Sequence, residues 1–284
     1  MSQPGASLQV KALERHFGVR LFERTPTGVR LTEAGAIVLD AANAILNAAD
    51  RMERLVAEVR GARRGRVVIA ANTTGGMYVV PPIIAAFREY QPEVDLHLQI
   101  EPTERIYERL DQSIVDVAVV GGPTDPERFA VRRLCPDQLV LISHPRHPLA
   151  QRPALDLHEI ARDELILPEH GSRMRALIEQ AFRDARIAVR PRMVVSGTEA
   201  IKRTVASRLG VGFVSAYAVV DEVRGGVVRV LSLTDGPLAR DYELITGKDR
   251  YVSPALQSFV DFTLEQGARL RPPVSPPGPH KRVK

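Results

Sequence analysis

The sequence holds one cysteine, Cys135, among 284 residues. A lone thiol cannot close an internal disulfide, which excludes a secreted scaffold stapled by disulfides. Cys135 reads as a buried strand residue rather than a nucleophile or redox sensor. Long hydrophobic runs are missing as well. The most apolar stretch, Val211 to Val220, covers about half of a membrane span, so no membrane partner is expected. The N-terminus carries Lys11, Glu14, Arg15 and Arg20 without an apolar h-region, so no signal peptide is visible and a cytoplasmic location is expected.

The motifs of catalysis are equally scarce. Gly210-Val211-Gly212 lacks a third glycine at the spacing a dinucleotide loop needs, and it runs into the strand at Phe213. No Gly-Lys-Ser/Thr follows a glycine-rich stretch, so there is no P-loop. His158-Glu159 has Arg162 where a zinc-binding histidine would stand. His144 and His147 are joined by no cysteine or carboxylate cluster and read as a turn. A Gly-x-Ser-x-Gly elbow is absent, and Ser172 beside Arg173 has no evident base. An enzyme is not expected, nor is a metal or a cofactor.

What is present is an ordinary soluble composition, 44% apolar and 26% charged, long enough for two or more units. The net charge of +5 is unevenly placed. Residues 1–66 hold eleven Lys/Arg against seven acids, the tail 268–284 holds five bases and no acid, and the middle is therefore −4. The tail, rich in proline from Pro272 to Pro279, has little to bury and is expected to be disordered.

Ser2-Gln3-Pro4 reads as a helix start, with proline in the first turn where its missing N–H costs little. Ala6, Val10, Leu13 and Phe17 then lie on one helical face, and Gly18 is a plausible stop. Leu21 to Leu31 has the form of a β-hairpin turning at residues 25–28, with Arg24 and Arg30 near its tip. Thr32 can cap a long helix to about Arg60. Val38, Ile45, Met52 and Val59 repeat every seven residues beside Ala41, Ala48 and Leu55, which favours a two-helix dimer seam over packing within one domain.

Together Ser2-Gln3-Pro4, Lys11-Ala12-Leu13-Glu14, Phe17 to Arg24 and Val29-Arg30-Leu31-Thr32-Glu33-Ala34-Gly35 resemble the LysR-type transcriptional regulators. The resemblance implies an α/β protein: a partial winged helix-turn-helix over 1–32, a linker and dimerisation helix with hinge over 33–65, and an effector-binding domain over 66–267. It implies that Gln3, Pro4, Ser7 and Gln9 face the major groove of a dyad-symmetric operator, while Lys11, Arg24 and Arg30 hold phosphates. It also implies a homo-oligomer, dimer or tetramer. The family usually has two helices before this point and alanine at the place of Gly5. A true start upstream of Met1 is therefore expected.

After an Arg/Gly-rich hinge at 60–66, strands and helices alternate, which argues for parallel sheets with helices on both faces. The family implies a two-lobed, periplasmic-binding-protein-like (type 2) domain, with lobe I over 66–143 and 242–267 and lobe II over 144–241. Ligands then lie between the lobes, at strand C-terminal ends. Asn72-Thr73-Thr74-Gly75-Gly76, Thr103 and Ser196-Gly197-Thr198-Glu199 each open a helix after a strand, and helix N-termini attract anions. A small carboxylate or phosphate effector is expected from the repetition, although each Ser/Thr taken alone is better explained as a simple N-cap. By resemblance Asn72, Thr74, Gly75, Thr103, Gly121 and Ser196 line the effector cleft. Thr198 joins them from its own junction, and Arg173 and Lys202 would add positive charge. The rival reading is a ligand-binding dimer without DNA binding, either a truncated regulator or a solute-binding type of protein.

Overall fold

The computed structural model describes residues 3–26, 28–59, 65–234 and 236–276. It separates into two compact units, one holding the first two helices and the hairpin, the other holding every later strand.

In the first unit, α1 (Gln3–Phe17) ends at Gly18, whose φ of +69° is a left-handed stop that glycine adopts without strain. β1 (Phe22–Thr25) and β2 (Gly28–Leu31) pair antiparallel, with Glu23 opposite Arg30. The Glu14 carboxylate accepts the backbone N–H groups of Leu21 and Phe22 and so ties helix to hairpin. α2 (Glu33–Val59) starts at Thr32, whose hydroxyl accepts the Gly35 N–H and donates to the Arg20 carbonyl. Gly35 is required here, because a Cβ would stand 1.9 Å from the Leu21 carbonyl oxygen. The heptad side of α2 is mostly open: Ile45 is 70% exposed and Met52 61%. Residues 60–64 of the expected hinge lie outside the described residues.

In the second unit β3 (Arg66–Ala71) leads to a helical segment, a π-helical turn at Gly75–Val79 followed by α3 (Val80–Tyr90). Then come β4 (Asp95–Ile100), α4 (Thr103–Asp111), β5 (Val117–Gly121) and the long β6 (Phe129–Ser143). The next set is α5 (Leu157–Ala161), β7 (Leu165–Pro168), α6 (Arg173–Asp184), β8 (Met193–Val195), α7 (Thr198–Ala206) and β9 (Val211–Ser215). α8 (Val220–Arg224), β10 (Arg229–Leu231), β11 (Leu238–Gly247) and α9 (Pro254–Arg269) complete it.

The strands are ordered β4-β3-β5-β11-β6-β9-β7-β8, with β10 on β6. β3, β4 and β5 run parallel in one lobe, and β7, β8 and β9 in the other. β6 and β11 are antiparallel to each other and pass through both lobes. Every residue of β5 is buried, as a strand covered on both faces requires. The first lobe has a core on each face of its sheet, around Phe87 and Phe259 on one side and Ile106 and Phe129 on the other. The second lobe is built around Leu141, Ile178, Phe182 and Phe213.

The helix opened by the Asn72–Gly76 junction begins at Thr73, with Gly75 and Gly76 buried inside its first turns. A Cβ at Gly76 would meet Ile100 at 2.7 Å. Two expectations change. The boundary between lobes placed at 143/144 falls late, since Leu139 to Ile142 pair with β9 and pack in the second lobe's core. β6 runs on through Pro136 without a break, so no end of a strand marks where one lobe gives way to the next. Disorder of the tail from 268 is also corrected. α9 runs to Arg269, Leu270 packs on the first lobe, and Val274 is buried in the second. Gln138 Nε2 donates to the Val274 carbonyl at 2.8 Å. One apolar side chain and one backbone carbonyl are enough to hold a short proline-rich segment whose unfolded freedom is already small. Residues 277–284 lie outside the described residues.

Candidate functional site

A cavity of about 340 Å³ lies between the two lobes of the second unit. Four helix starts wall it: residues 73–74 and Thr103 from the first lobe, Ser172–Arg173 and Gly197–Thr198 from the second. Such starts present N–H groups without intrahelical partners, and the aligned peptide dipoles favour an anion there. The geometry arises from short junctions at strand ends. The Asn72 side-chain oxygen accepts the Gly75 N–H at 3.0 Å, and Gly197, with φ +85°, turns the chain into α7.

The lobes touch across this cavity. Thr74 Oγ1 and Thr198 Oγ1, both buried, are 2.9 Å apart. Arg173 at the start of α6 reaches over to the Tyr107 hydroxyl and the Pro123 carbonyl. Beside the cavity Tyr78 bonds Glu199, and Lys202 donates to the Tyr78 hydroxyl at 2.9 Å. Lys202 also pairs with Glu199 and Glu222, each at 2.7 Å. Burial works against its charge, but those bonds outweigh it and hold the Lys202 pKa above the ordinary lysine range. Burial would likewise raise the Glu199 pKa, yet hydrogen bonds from Lys202 and Tyr78 hold it below its ordinary value.

Arg240 supplies the buried cation of the cavity wall. Its side chain is 7% exposed, and its Nε donates to Asp137 Oδ2 at 2.7 Å. Asp137 in turn accepts the Ser215 hydroxyl at 2.8 Å. Burial opposes the guanidinium charge, while Tyr242 and Asp137 nearby restore it and leave its pKa raised. Acidic side chains line the cavity too. Glu101 is engaged by Arg109 at 2.7 Å and Glu169 accepts the Gly197 N–H at 3.2 Å, which leaves exposed Glu104 near the rim.

Of the anticipated residues, Asn72, Thr74, Thr103, Thr198 and Arg173 line the cavity. Gly75 and Gly121 support it from behind: a Cβ at Gly75 would meet Asn72 Oδ1 at 2.8 Å, and one at Gly121 would meet Arg240 Nη1 at 3.1 Å. Ser196 is exposed and not part of the wall, because Gly197 rather than Ser196 precedes the first turn of α7. Lys202 is not a free cation either, since two carboxylates neutralise it. Arg240 was not anticipated. A charge in the middle of a strand reads as solvent-facing, and only its place opposite Asp137 in the β6–β11 register marks it as interior.

In the first unit Pro4, Ser7, Lys11, Arg24 and Arg30 are all exposed. At about 100° per residue, Gln3, Pro4, Ser7 and Lys11 share one side of α1. Gln9 stands about 200° round from Ser7, beside the apolar side carrying Ala6, Leu13 and Phe17. The helical repeat therefore separates Gln9 from the other groove-facing candidates. Arg30 is held at 2.6 Å by Glu23 across the hairpin. The Gln3 side chain lies outside what is described.

These features define a class: a helix-and-hairpin unit joined through a long helix to a two-lobed α/β ligand-binding domain. Residues 1–36 match the bacterial regulatory helix-turn-helix proteins of the lysR family, and residues 60–268 match the LysR substrate binding domain. The chain belongs to the LysR family of transcriptional regulators. It is 32% identical over 262 residues to the HTH-type transcriptional activator CmpR of Synechocystis sp., covering 92% of this chain and 86% of that one. It is 34% identical over 282 residues to the HTH-type transcriptional regulator CbbR of Sinorhizobium medicae, covering 98% and 89%. These relatives are transcription regulators rather than enzymes. Among solved structures, full-length CbnR complexed with its target DNA has a TM-score of 0.74 at 24% identity, covering 94% of this chain and 91% of that one. The CcmR regulatory domain of Synechocystis PCC6803, in complex with 2-PG, has a TM-score of 0.68 at 23% identity, covering 73% and 99%. No helix among the described residues is long and apolar enough to cross a membrane.

Proposed function

We propose that this chain is a cytoplasmic, DNA-binding transcription regulator whose activity responds to a small carboxylate or phosphate metabolite bound between the lobes of its second unit. The observation that carries the ligand class is the convergence of four helix starts and buried Arg240 on one cavity. Residues 1–32 bind a dyad-symmetric operator, with Pro4 and Ser7 toward the groove and Lys11 and Arg24 toward phosphates. Residues 33–65 join two copies through the open apolar side of α2, and the effector domain begins at 66. A dimer or tetramer places two recognition helices at a fixed spacing, and an effector that shifts the lobes alters that spacing.

Two titrations test this. Specific operator binding should weaken steeply with salt, because Lys and Arg displace counterions from phosphates. A panel of metabolites should raise the melting temperature where one binds the folded state alone. Thr74→Ala, which removes the interlobe hydroxyl contact, should blunt the effector's influence on operator binding. Unaltered effector dependence in that variant would sink the cavity assignment.

A further inference from the structure

We infer that the anionic group of the effector is bound by Arg240 and is thereby read at the hinge of the domain. The inference rests on the proposed effector cavity and adds a residue and a place to it. Arg240 and Asp137 are direct partners in the antiparallel register of β11 and β6, the two strands that pass between the lobes. The pair sits where those strands change lobes. Leu139, two residues past Asp137, pairs with Ser215 in the second lobe, while Tyr242, two past Arg240, pairs with Gly121 in the first.

The chemistry fits an oxyanion. Asp137 takes the Nε edge of the guanidinium, and Tyr242 accepts from Nη2 at a long 3.3 Å. Nη1 has no hydrogen-bond partner among the described residues, although Arg240 is part of the cavity wall. A guanidinium fixed on one edge presents the other as a preset fork for carboxylate or phosphate oxygens. Gly121 keeps that fork clear, since a Cβ there would press on Nη1. Asp137 is a positioning residue: its side chain is fully buried, and the Ser215 hydroxyl fixes its other oxygen. An anion drawn to Nη1 shares the guanidinium with Asp137 and so changes the bond linking the two crossing strands. Helix starts alone would hold the ligand without touching those strands.

The test is calorimetric titration of the full chain with 2-PG, inorganic phosphate and neutral glycerol. The variants are Arg240→Lys and the double variant Arg240→Gln/Asp137→Asn, which removes both buried charges together and leaves neither orphaned. Wild type is expected to bind an anion and not glycerol. The double variant should bind that anion about 10–100-fold more weakly, the loss of a charged hydrogen bond. Arg240→Lys keeps the charge but not the fork and should fall between them. Anion binding within threefold of wild type in the double variant overturns the Arg240 assignment while leaving the cavity in place. Should the double variant not fold, the same threefold limit in Arg240→Lys overturns it. Failure of wild type to bind either anion overturns the anionic-effector reading itself, and this inference with it.

Discussion

Replacing Lys202 by methionine is expected to destabilise the effector domain by about 2–4 kcal/mol at neutral pH. The lysine is 4% exposed and bonds Glu199, Glu222, the Tyr78 hydroxyl and the Ala218 carbonyl. Methionine fills the volume of the aliphatic stem, so the loss is electrostatic rather than a packing void. Removing one partner of a buried pair typically costs about 3–5 kcal/mol, because the other charge is left uncompensated. Here Glu199 is 42% exposed and Glu222 22%, so water recovers part of that cost, and the lower range follows. For a domain of this size each kcal/mol lowers the melting temperature by about 2–4 °C. A drop of roughly 4–16 °C should appear in a circular-dichroism melt at pH 7. The dependence on pH has a fixed sign. Glu199 is held below its ordinary value, so its contribution is present above that value, near 4.5, and is lost as the pH falls through the folded one. The gap between wild type and variant should therefore narrow in acid, as the orphaned Glu199 carboxylate takes up a proton. A gap below 2 °C at pH 7, or one that widens toward pH 4, would refute the assignment of Lys202 as the neutralising centre of this cluster.

Gly35→Ala would drive a methyl group into the Leu21 carbonyl, and should abolish operator binding while the effector domain melts unchanged. Val274→Asp puts an unpaired carboxylate into the second lobe's core and should cost about 2–3 kcal/mol, measured by urea unfolding. Cys135 is buried, and desolvation pushes its thiol up to about 11, so a disulfide reagent at pH 8 should label the native protein very slowly and the guanidinium-unfolded protein within minutes. Ile45→Glu on the open side of α2 should shift the protein toward monomer in light scattering without lowering effector-domain stability.

The parts legible from sequence are those fixed by local chemistry. Gly18, the Thr32 cap and the turn at 25–28 are signals within a few residues, and α1, the hairpin and α2 form where those signals place them. The strand-to-helix junctions at Asn72, Thr103 and Thr198 are local in the same way, and all three reach the cavity. Long-range pairing is different. That the charge of Lys202 is compensated depends on Glu222, twenty residues on, and that Arg240 is interior depends on Asp137 in another strand. Nor does any single residue announce that Val274 crosses to the second lobe. Its burial goes with the hydrogen bond that the Gln138 side chain of β6 donates to the Val274 carbonyl.

The lobes are joined twice by covalent chain, through β6 and β11, and a third time by residues 270–274, which follow α9 and pack noncovalently on the second lobe. Two crossing strands paired to each other form a ribbon that twists and bends more readily than it stretches. A third connection on the β6 side limits how far the lobes can swing apart there. The other contacts between the lobes are hydrogen bonds of side chains: Thr74 with Thr198, Arg173 with Tyr107, and Tyr78 with Glu199 and Lys202. Each of these is a hydrogen bond worth about 0.5–3 kcal/mol, small enough for a bound ligand to bias. Cutting the chain after Arg271 removes the third connection without touching the cavity wall. The truncated protein should release a bound anion faster than full-length protein in stopped-flow chase experiments, with the salt dependence of binding unchanged. Equal release rates would mean that the segment merely covers an apolar surface and does not restrain the lobes.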